Sequence, residues 1–463
     1  MKSAFYYLAA VLMLCSSAFA APFVRAATSN SGVRVPAQSA ITTAEGQLIV
    51  GHWEGTLTYG GSEQGISVDI SSVGDAYSGT ADIPDVGIIN IPLRNLAFER
   101  SVIQFDLPLG RGRYVGKLQK DTIIGNTGNR WDDEFVVTIV FERKQRPAFP
   151  YRQKELRFSN GDVTLVGTLF LPRSPGPHPA VVAVHGATER TRDNPDYRFL
   201  ADLLPRHGIA VLLYDGRGAG ESTGNFNSAS FVDLAQDAIA GVQELSRYPE
   251  IDAKHIGLWG ISQGGWVVPQ AAVLSKDIAF LIVVSGMAST AATQMDYLTT
   301  VSLRKFGFSD QAVNEMLKVR HVVDNYYRGQ ISVEEARKAV VAVHEEPWFP
   351  IAFIPSKLPT DISHDKWRFE MDFDPLPLWT QITLPTLILY GDSDEQVPAS
   401  KEASRFEQAL EAAHNQDFTI LGFPNTSHEM LTVPQKGAPW HWRYISSAYR
   451  KTMAEWILKR TGH

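Results

Sequence analysis

The chain has 463 residues, 44% of them hydrophobic and 20% charged, an ordinary globular composition long enough for two or three domains. Its formal net charge of −7 argues against a nucleic-acid partner, which would want a basic face. No run of like charge is long enough to read as an interaction tail.

The amino terminus reads "MKSAFYYLAAVLMLCSSAFAAP". Lys2 supplies a positive start, Ala4 to Cys15 form an apolar core too short to span a bilayer, and Ala18-Phe19-Ala20 is a small-x-small cleavage site. This predicts a signal peptide over residues 1–20 and a secreted or periplasmic protein. An uncleaved anchor is the alternative. A lipoprotein signal fits less well, because Leu14 before Cys15 is bulky. Cys15 is the single cysteine, so the mature chain needs no disulfide even in an oxidising compartment. Later apolar runs are strand-length, so no stable membrane span is expected after cleavage.

Residues 21–45, rich in Ser, Ala and Thr, are expected to be a flexible segment. Residues 46–145 have an all-β texture. "GISVDISSV" and "FVVTIVFER" join β-branched residues to alternation, with glycines at short intervals. The opening Gly51-His52-Trp53 and the repeated short strands resemble a lipocalin-like barrel or a sandwich. "KQRPAFPYRQKE" reads as a linker, with two prolines and mixed charge.

The pattern changes over residues 150–463. "ELRFSNGDVTLVGTLFLP" is a hairpin around Asn160-Gly161. Then "AVVAVHG", "IAVLLYD", "HIGLWG", "FLIVVSG", "TLILYG" and "DFTILGF" alternate with helical patterns. Continuous apolar strands separated by helices predict an α/β fold with a mostly parallel sheet buried on both faces. Between Phe231 and Leu245 the apolar stripe Phe231, Leu234, Ala235, Ala238, Ile239, Val242, Leu245 has helical period, and Ser230 with Asp233 can cap its start. One connection, about 287–383, is far too long for a simple crossover. "SDQAVNEMLKVRHVVDNYY" looks helical, and Ser332 to Glu335 is a capping box opening another helix. This insertion is expected to be a helical cap over the sheet, with "EEPWFPIAFIPSKLP" packing near its base. A separate domain unrelated to the site is the bland alternative.

Two segments match Gly-x-Ser-x-Gly: Gly260 to Gly264 around Ser262, and Gly220 to Gly224 around Ser222. A nucleophile elbow needs its serine on a sharp turn directly after a strand and directly before a helix, with glycines where side chains would collide. Ser262 follows "HIGLWG" with only Ile261 between, and "QGGWVVPQAAVL" then reads as helix. Ser222 lies in the long loop "DGRGAGESTGNFNSAS". Ser262 is therefore the candidate nucleophile. A serine hydroxyl needs a base to take its proton and an acid to orient that base. Asp394, just past the strand "TLILYG", and His428, after the last strand, fall where such sheets build sites, at carboxyl ends of parallel strands. Asp392 and Glu395 are rivals for the acid. The N–H of Gln263, at the helix start, is one candidate oxyanion donor; the loop after "AVVAVHG" should give the other, with Ala187 first and Thr188 second.

"VVAVHGATERTRDN", "LLYDGRGAGES", "IGLWGISQGGW", "LPTLILYGDSDEQVP" and "NTSHEM" resemble successive signatures of the α/β-hydrolase superfamily. The likeness runs from about residue 150 to the end and points to secreted or periplasmic serine hydrolases of the esterase, dienelactone-hydrolase and prolyl-oligopeptidase-like group. It implies a triad of Ser262, Asp394 and His428, an oxyanion hole of Ala187 and Gln263, and structural roles for Asp215 and Arg217. Relatives often carry "HGSGP" or "HGG" where this chain has "HGAT", which leaves the second oxyanion donor open. The β-rich segment is outside the superfamily core.

Such a triad fixes acyl transfer to water, not the acyl group. Trp259, Trp266, Trp348, Trp379, Trp440 and Trp442 are numerous; one or two near the cap could line an acyl pocket. Glu189 and Glu345-Glu346 could clamp a free amino terminus but read better as solvated charges. The expected substrate is a small-molecule carboxylic ester, with a short peptide cut by a serine peptidase or aminopeptidase as the runner-up. A non-catalytic ligand-binding protein, its β domain holding an apolar ligand, is the reading from another class. No metal site of the His-Glu-x-x-His type and no phosphate loop of the Gly-x4-Gly-Lys type is present, so no cofactor is expected. The sequence leaves the oligomeric state open.

Overall fold

A computed structural model describes residues 48–59, 61–73, 76–108, 112–128, 137–187, 190–433 and 442–462. The expected signal peptide and the whole Ser/Ala/Thr-rich segment after it, Thr188, Glu189 and Trp440 lie outside the described residues.

The first nine strands are β1 (Gly51–Tyr59), β2 (Ser62–Val73), β3 (Ala76–Ile83), β4 (Ile88–Pro92), β5 (Arg94–Glu99), β6 (Val102–Asp106), β7 (Arg113–Gln119), β8 (Thr122–Gly128) and β9 (Val137–Lys144). They form one antiparallel sheet in the order β4-β3-β2-β1-β9-β8-β7-β6-β5. Its ends come close together: Tyr77 of β3 meets Phe98 of β5 edge to face, with ring centroids 6.1 Å apart. The alternating strands turn one set of side chains inward, as period-two patterning requires. Trp53, Phe105, Tyr114 and Phe141 fill that interior, and the Trp53 indole N–H donates to the Ile49 carbonyl at 2.9 Å.

The second sheet has eight strands: β10 (Tyr151–Asn160), β11 (Val163–Pro172), β12 (His178–Val184), β13 (Ala210–Tyr214), β14 (Ile251–Ile261), β15 (Leu281–Val284), β16 (Thr386–Gly391) and β17 (Phe418–Phe423). Their order is β10-β11-β13-β12-β14-β15-β16-β17. β10 and β11 form the expected hairpin, with Gly161 at φ +55° in its turn. β11 runs antiparallel to β13, and every later pairing is parallel. The linker is shorter than "KQRPAFPYRQKE" suggests. Tyr151 already belongs to β10, where its ring is buried against Phe170.

Alternation along the central strands feeds two cores. Val182, Leu212, Leu258, Val283 and Ile388 pack on one face with the helices Phe231–Leu245, Gly264–Leu274 and Ala399–Ala412. Val181, Val211, Trp259, Ile282 and Leu389 pack on the other with Leu200–Arg206 and Ser447–Thr461. Both capping boxes form. Ser230 Oγ accepts from the Asp233 amide and Ser332 Oγ from the Glu335 amide, each at 3.2 Å.

The insertion after β15 contains the helices Ala291–Lys305, Asp310–Tyr327 and Val333–Val343. It has its own apolar core, and Trp348, Phe349, Ile351 and Ile354 of the aromatic, proline-rich tail are part of that core. No helix among the described residues is long and apolar enough to cross a membrane.

The antiparallel sheet grips two segments beside the carboxyl edge of the parallel one. The buried Arg198 guanidinium donates through Nε to the Ile89 carbonyl at 2.8 Å, and the Ile445 amide donates to the Asp85 carbonyl at 2.6 Å. Gly87, at φ +77°, is wedged between them. A Cβ there would lie 2.6 Å from the Pro195 carbonyl and 3.1 Å from Ile445 Cδ1, so no larger residue fits.

Candidate active site

Ser262 stands between the last residue of β14 and the helix Gly264–Leu274, whose N-cap is Gln263. Its backbone has φ +52°, the left-handed region that a side chain rarely adopts. The turn is pinned by the Ser262 amide donating to the Val284 carbonyl at 2.9 Å and by the Gly265 amide donating to the Ser262 carbonyl at 2.8 Å. The flanking glycines are needed for close packing. A Cβ on Gly260 would sit 2.7 Å from Val268 Cγ2 and 2.8 Å from the Gly264 carbonyl; one on Gly264 would sit 2.9 Å from the Val184 carbonyl.

Ser222 has none of this geometry. Its buried hydroxyl donates to the Asp215 carbonyl at 2.6 Å and accepts from the Val166 amide at 2.9 Å, latching a loop to β11. Asp215 accepts from the amides of Arg192 and Glu221, each at 2.9 Å, and Arg217 grips Asp237 with two bonds of 2.7 Å. Both residues brace the loop framework.

Asp394 is buried in the loop after β16. Its Oδ1 accepts from the amides of Gln396 at 2.7 Å and Val397 at 2.9 Å, and its Oδ2 lies 2.8 Å from His428 Nδ1. The two rival carboxylates face elsewhere: Asp392 is exposed beside Ser393, and exposed Glu395 pairs with Lys305 at 2.7 Å. Nδ1–H donation to Asp394 leaves His428 Nε2 as the unprotonated nitrogen of the neutral ring. Burial disfavours the imidazolium. The charge and hydrogen bond of Asp394, with Glu429 and Asp196 adding to them, outweigh it and hold the pKa up, at about 9.

Two residues that steer His428 carry no motif. Ser285, at φ +50° just past β15, donates its hydroxyl to the His428 carbonyl at 2.8 Å. Gly391, the last residue of β16, lets the histidine loop approach; a Cβ there would lie 2.1 Å from the Thr426 carbonyl. Position at the carboxyl edge of the sheet was the one sequence signal for either.

Ser262 and His428 line the same cavity, together with Ala187 and Gln263. Trp266 is the one tryptophan singled out from the sequence that borders it; Trp367, which was not singled out, borders it too. Trp259, Trp348 and Trp379 are core residues, and Trp442 donates to the Ser62 carbonyl of the antiparallel sheet at 3.3 Å. Glu345 and Glu346 are exposed. The cap closes the cavity from above with Leu298, Val323 and Tyr327, and with the charged pair Arg320 and Asp324. Among the described residues no group of three or more His, Cys, Asp or Glu could hold a metal.

An eight-stranded, mostly parallel sheet with an elbow serine, a following carboxylate and a histidine past the last strand is the architecture of an α/β hydrolase. The chain belongs to the alpha/beta hydrolase family, which matches residues 181–439, more than half of its length. Esterase EstD of Thermotoga maritima is 23% identical over 316 residues, 65% of this chain and 68% of that protein. Human acyl-coenzyme A thioesterase 1 is 29% identical over 28% of this chain and 29% of its own length, and human dipeptidyl peptidase 8 is 28% identical over 43% of this chain and 22% of its own. Among solved structures, a Pyrococcus furiosus esterase covers 67% of this chain and 91% of that one, at 18% identity and a TM-score of 0.43.

Proposed function

We propose that this protein is a serine hydrolase that cleaves carboxylic esters through an acyl-enzyme. Ser262 Oγ attacks the ester carbonyl while His428 Nε2 takes its proton, and Asp394 holds the imidazole and offsets its charge. The tetrahedral oxyanion is held by the N–H groups of Gln263 and Ala187, worth ~3–4 kcal/mol for a donor of this kind. Collapse expels the alcohol, which takes the proton from His428. Water, deprotonated by the same imidazole, then attacks the acyl carbonyl and releases the acid and Ser262. The observation that carries this reading is an elbow serine at φ +52° sharing a cavity with a histidine 2.8 Å from a buried carboxylate. An ester rather than a peptide is favoured by the relation to EstD over 316 residues, against a shorter match to the dipeptidyl peptidase, 43% of this chain.

A fluorophosphonate should label the folded protein on Ser262 alone, and short p-nitrophenyl esters should be turned over. Release of amino-terminal dye amides without ester turnover would select the peptidase reading. Folded protein that takes up no label would select the ligand-binding one, against which the filled interior of the antiparallel sheet already weighs. Residues 1–20 are proposed as an export signal on their charge and apolar pattern. Sequencing the amino terminus of exported protein should give Ala21; a start at Met1 refutes cleavage.

A further inference from the structure

The helix Asp310–Tyr327 turns Arg320, Val323, Asp324 and Tyr327 toward the cavity that holds Ser262 and His428. The spacing puts all four on one stripe. Two of them are charged and buried, Arg320 at 5% and Asp324 at 2% exposure. Charges at that depth are costly unless their hydrogen-bonding groups are engaged. They are engaged only in part. Arg320 Nη2 donates to the Ala352 carbonyl, but its Nε has no hydrogen-bond partner. Asp296 Oδ1 forms a long ion pair with that Nε at 4.0 Å and likewise has no hydrogen-bond partner, while the other Asp296 oxygen accepts from His321 at 2.8 Å. Asp324 Oδ1 accepts from the Trp367 indole at 2.9 Å. The rest of this wall, Met295, Leu298, Phe353 and Ile354 among it, is apolar.

We infer that Arg320 and Asp324 form a polar subsite in the cap for a neutral substrate group that both accepts and donates hydrogen bonds, such as a carboxamide or a hydroxyl, carried away from the scissile ester. The inference rests on the esterase reading and specifies its substrate class. Arg320 and Asp324 both line the cavity, where a guanidinium offers donors and the carboxylate one turn along the helix offers acceptors. A substrate ion would meet attraction from one of these charges and repulsion from another, and would still bear the cost of its own desolvation, which a neutral group avoids. A plain alkyl chain would leave the buried charges unserved, and sites built around polar groups reject analogues that lack them.

The test uses the whole protein and two matched series of p-nitrophenyl esters, plain alkanoyl and ω-carbamoyl-alkanoyl, over a range of chain lengths. A parallel pair of series carries the same groups on the alcohol side. At one length the carbamoyl ester should exceed its alkyl match in kcat/KM by about tenfold or more, chiefly through KM. In Arg320→Met and in Asp324→Asn that ratio should fall towards one. The ratio is internal to each variant, so partial loss of folded protein cancels. Should neither variant fold, the wild-type protein still decides: carbamoyl-alkyl fluorophosphonates should label it faster than alkyl ones. Equal or lower reactivity of the carbamoyl compounds at every length and on both sides overturns the subsite, as does a clear preference for an ω-carboxylate or ω-ammonium ester. Absence of turnover on every ester, with Ser262 unlabelled, fails the esterase reading itself; turnover with ratios of one fails the subsite alone.

Discussion

Ser262→Ala should lower kcat for a p-nitrophenyl ester on the order of 10⁶-fold, about 8 kcal/mol of barrier at 1.36 kcal/mol per tenfold, while leaving the fold intact. The size follows from chemistry: without the hydroxyl no acyl-enzyme forms, and only the oxyanion donors and substrate binding remain. The fold should survive because alanine keeps the Cβ that the turn already accommodates. Ser222→Ala is the matched control, since it disrupts an equally good sequence motif. It should keep kcat, yet lose about 1–3 kcal/mol of stability, because the Val166 amide would be left buried without its acceptor. Steady-state kinetics and denaturant melts of the two purified variants check this. Loss of activity in both, or retention in Ser262→Ala, removes the elbow from the mechanism.

These two serines show what the sequence could and could not reveal. Their five-residue motifs are alike; only their distance from a strand end and a helix start differs, and the structure confirms that difference in backbone geometry. The parallel strands were legible because both faces are covered, which writes them as unbroken apolar runs such as "AVVAV". Two helices of the cap, Asp310–Tyr327 and Val333–Val343, were legible, the second from its capping box, whereas Ala291–Lys305 was not singled out. What faces what was not. Arg320 and Asp324 sit on a stripe that could equally have met solvent, and the cavity that receives them is made in part by segments more than a hundred residues away from either, such as those of Ala187 and His428. The same holds for the antiparallel sheet. Nothing in "DVGII" reveals that Gly87 is pressed against the Pro195 carbonyl and Ile445. Yet through that contact the sheet braces the short helix Pro195–Arg198, whose Asp196 borders the cavity, and the chain returning from the His428 loop. Leu431, three residues past His428, packs against that sheet's core as well. The domain that lay outside the superfamily likeness thus supports the histidine physically.

The histidine also yields the sharpest pH prediction. A base must be unprotonated to act, and Asp394 holds the His428 pKa up at about 9. In the free enzyme kcat/KM should therefore be low at neutral pH, rise with pH and level off above about 9. Asp394→Asn removes the charge that raises the pKa and leaves burial, which lowers it, so the rising limb should move to lower pH. Its plateau should fall about 10⁴-fold, because an amide no longer holds Nδ1–H towards itself. Stability should respond in the opposite sense to activity. A folded-state pKa raised from 6.5 gives a contribution fully present below pH 6.5 and lost as pH rises through about 9. Wild-type protein should thus lose stability over the interval in which it gains activity, and Asp394→Asn should lack that loss. Background-corrected ester kinetics and denaturant midpoints between pH 5 and 10 would check both, with fluorophosphonate titration counting active sites in the weak variant. A limb that stays in place in Asp394→Asn would mean that another group sets the histidine's pKa, and Glu429 and Asp196, the two further carboxylates that raise it, would then be the ones to replace.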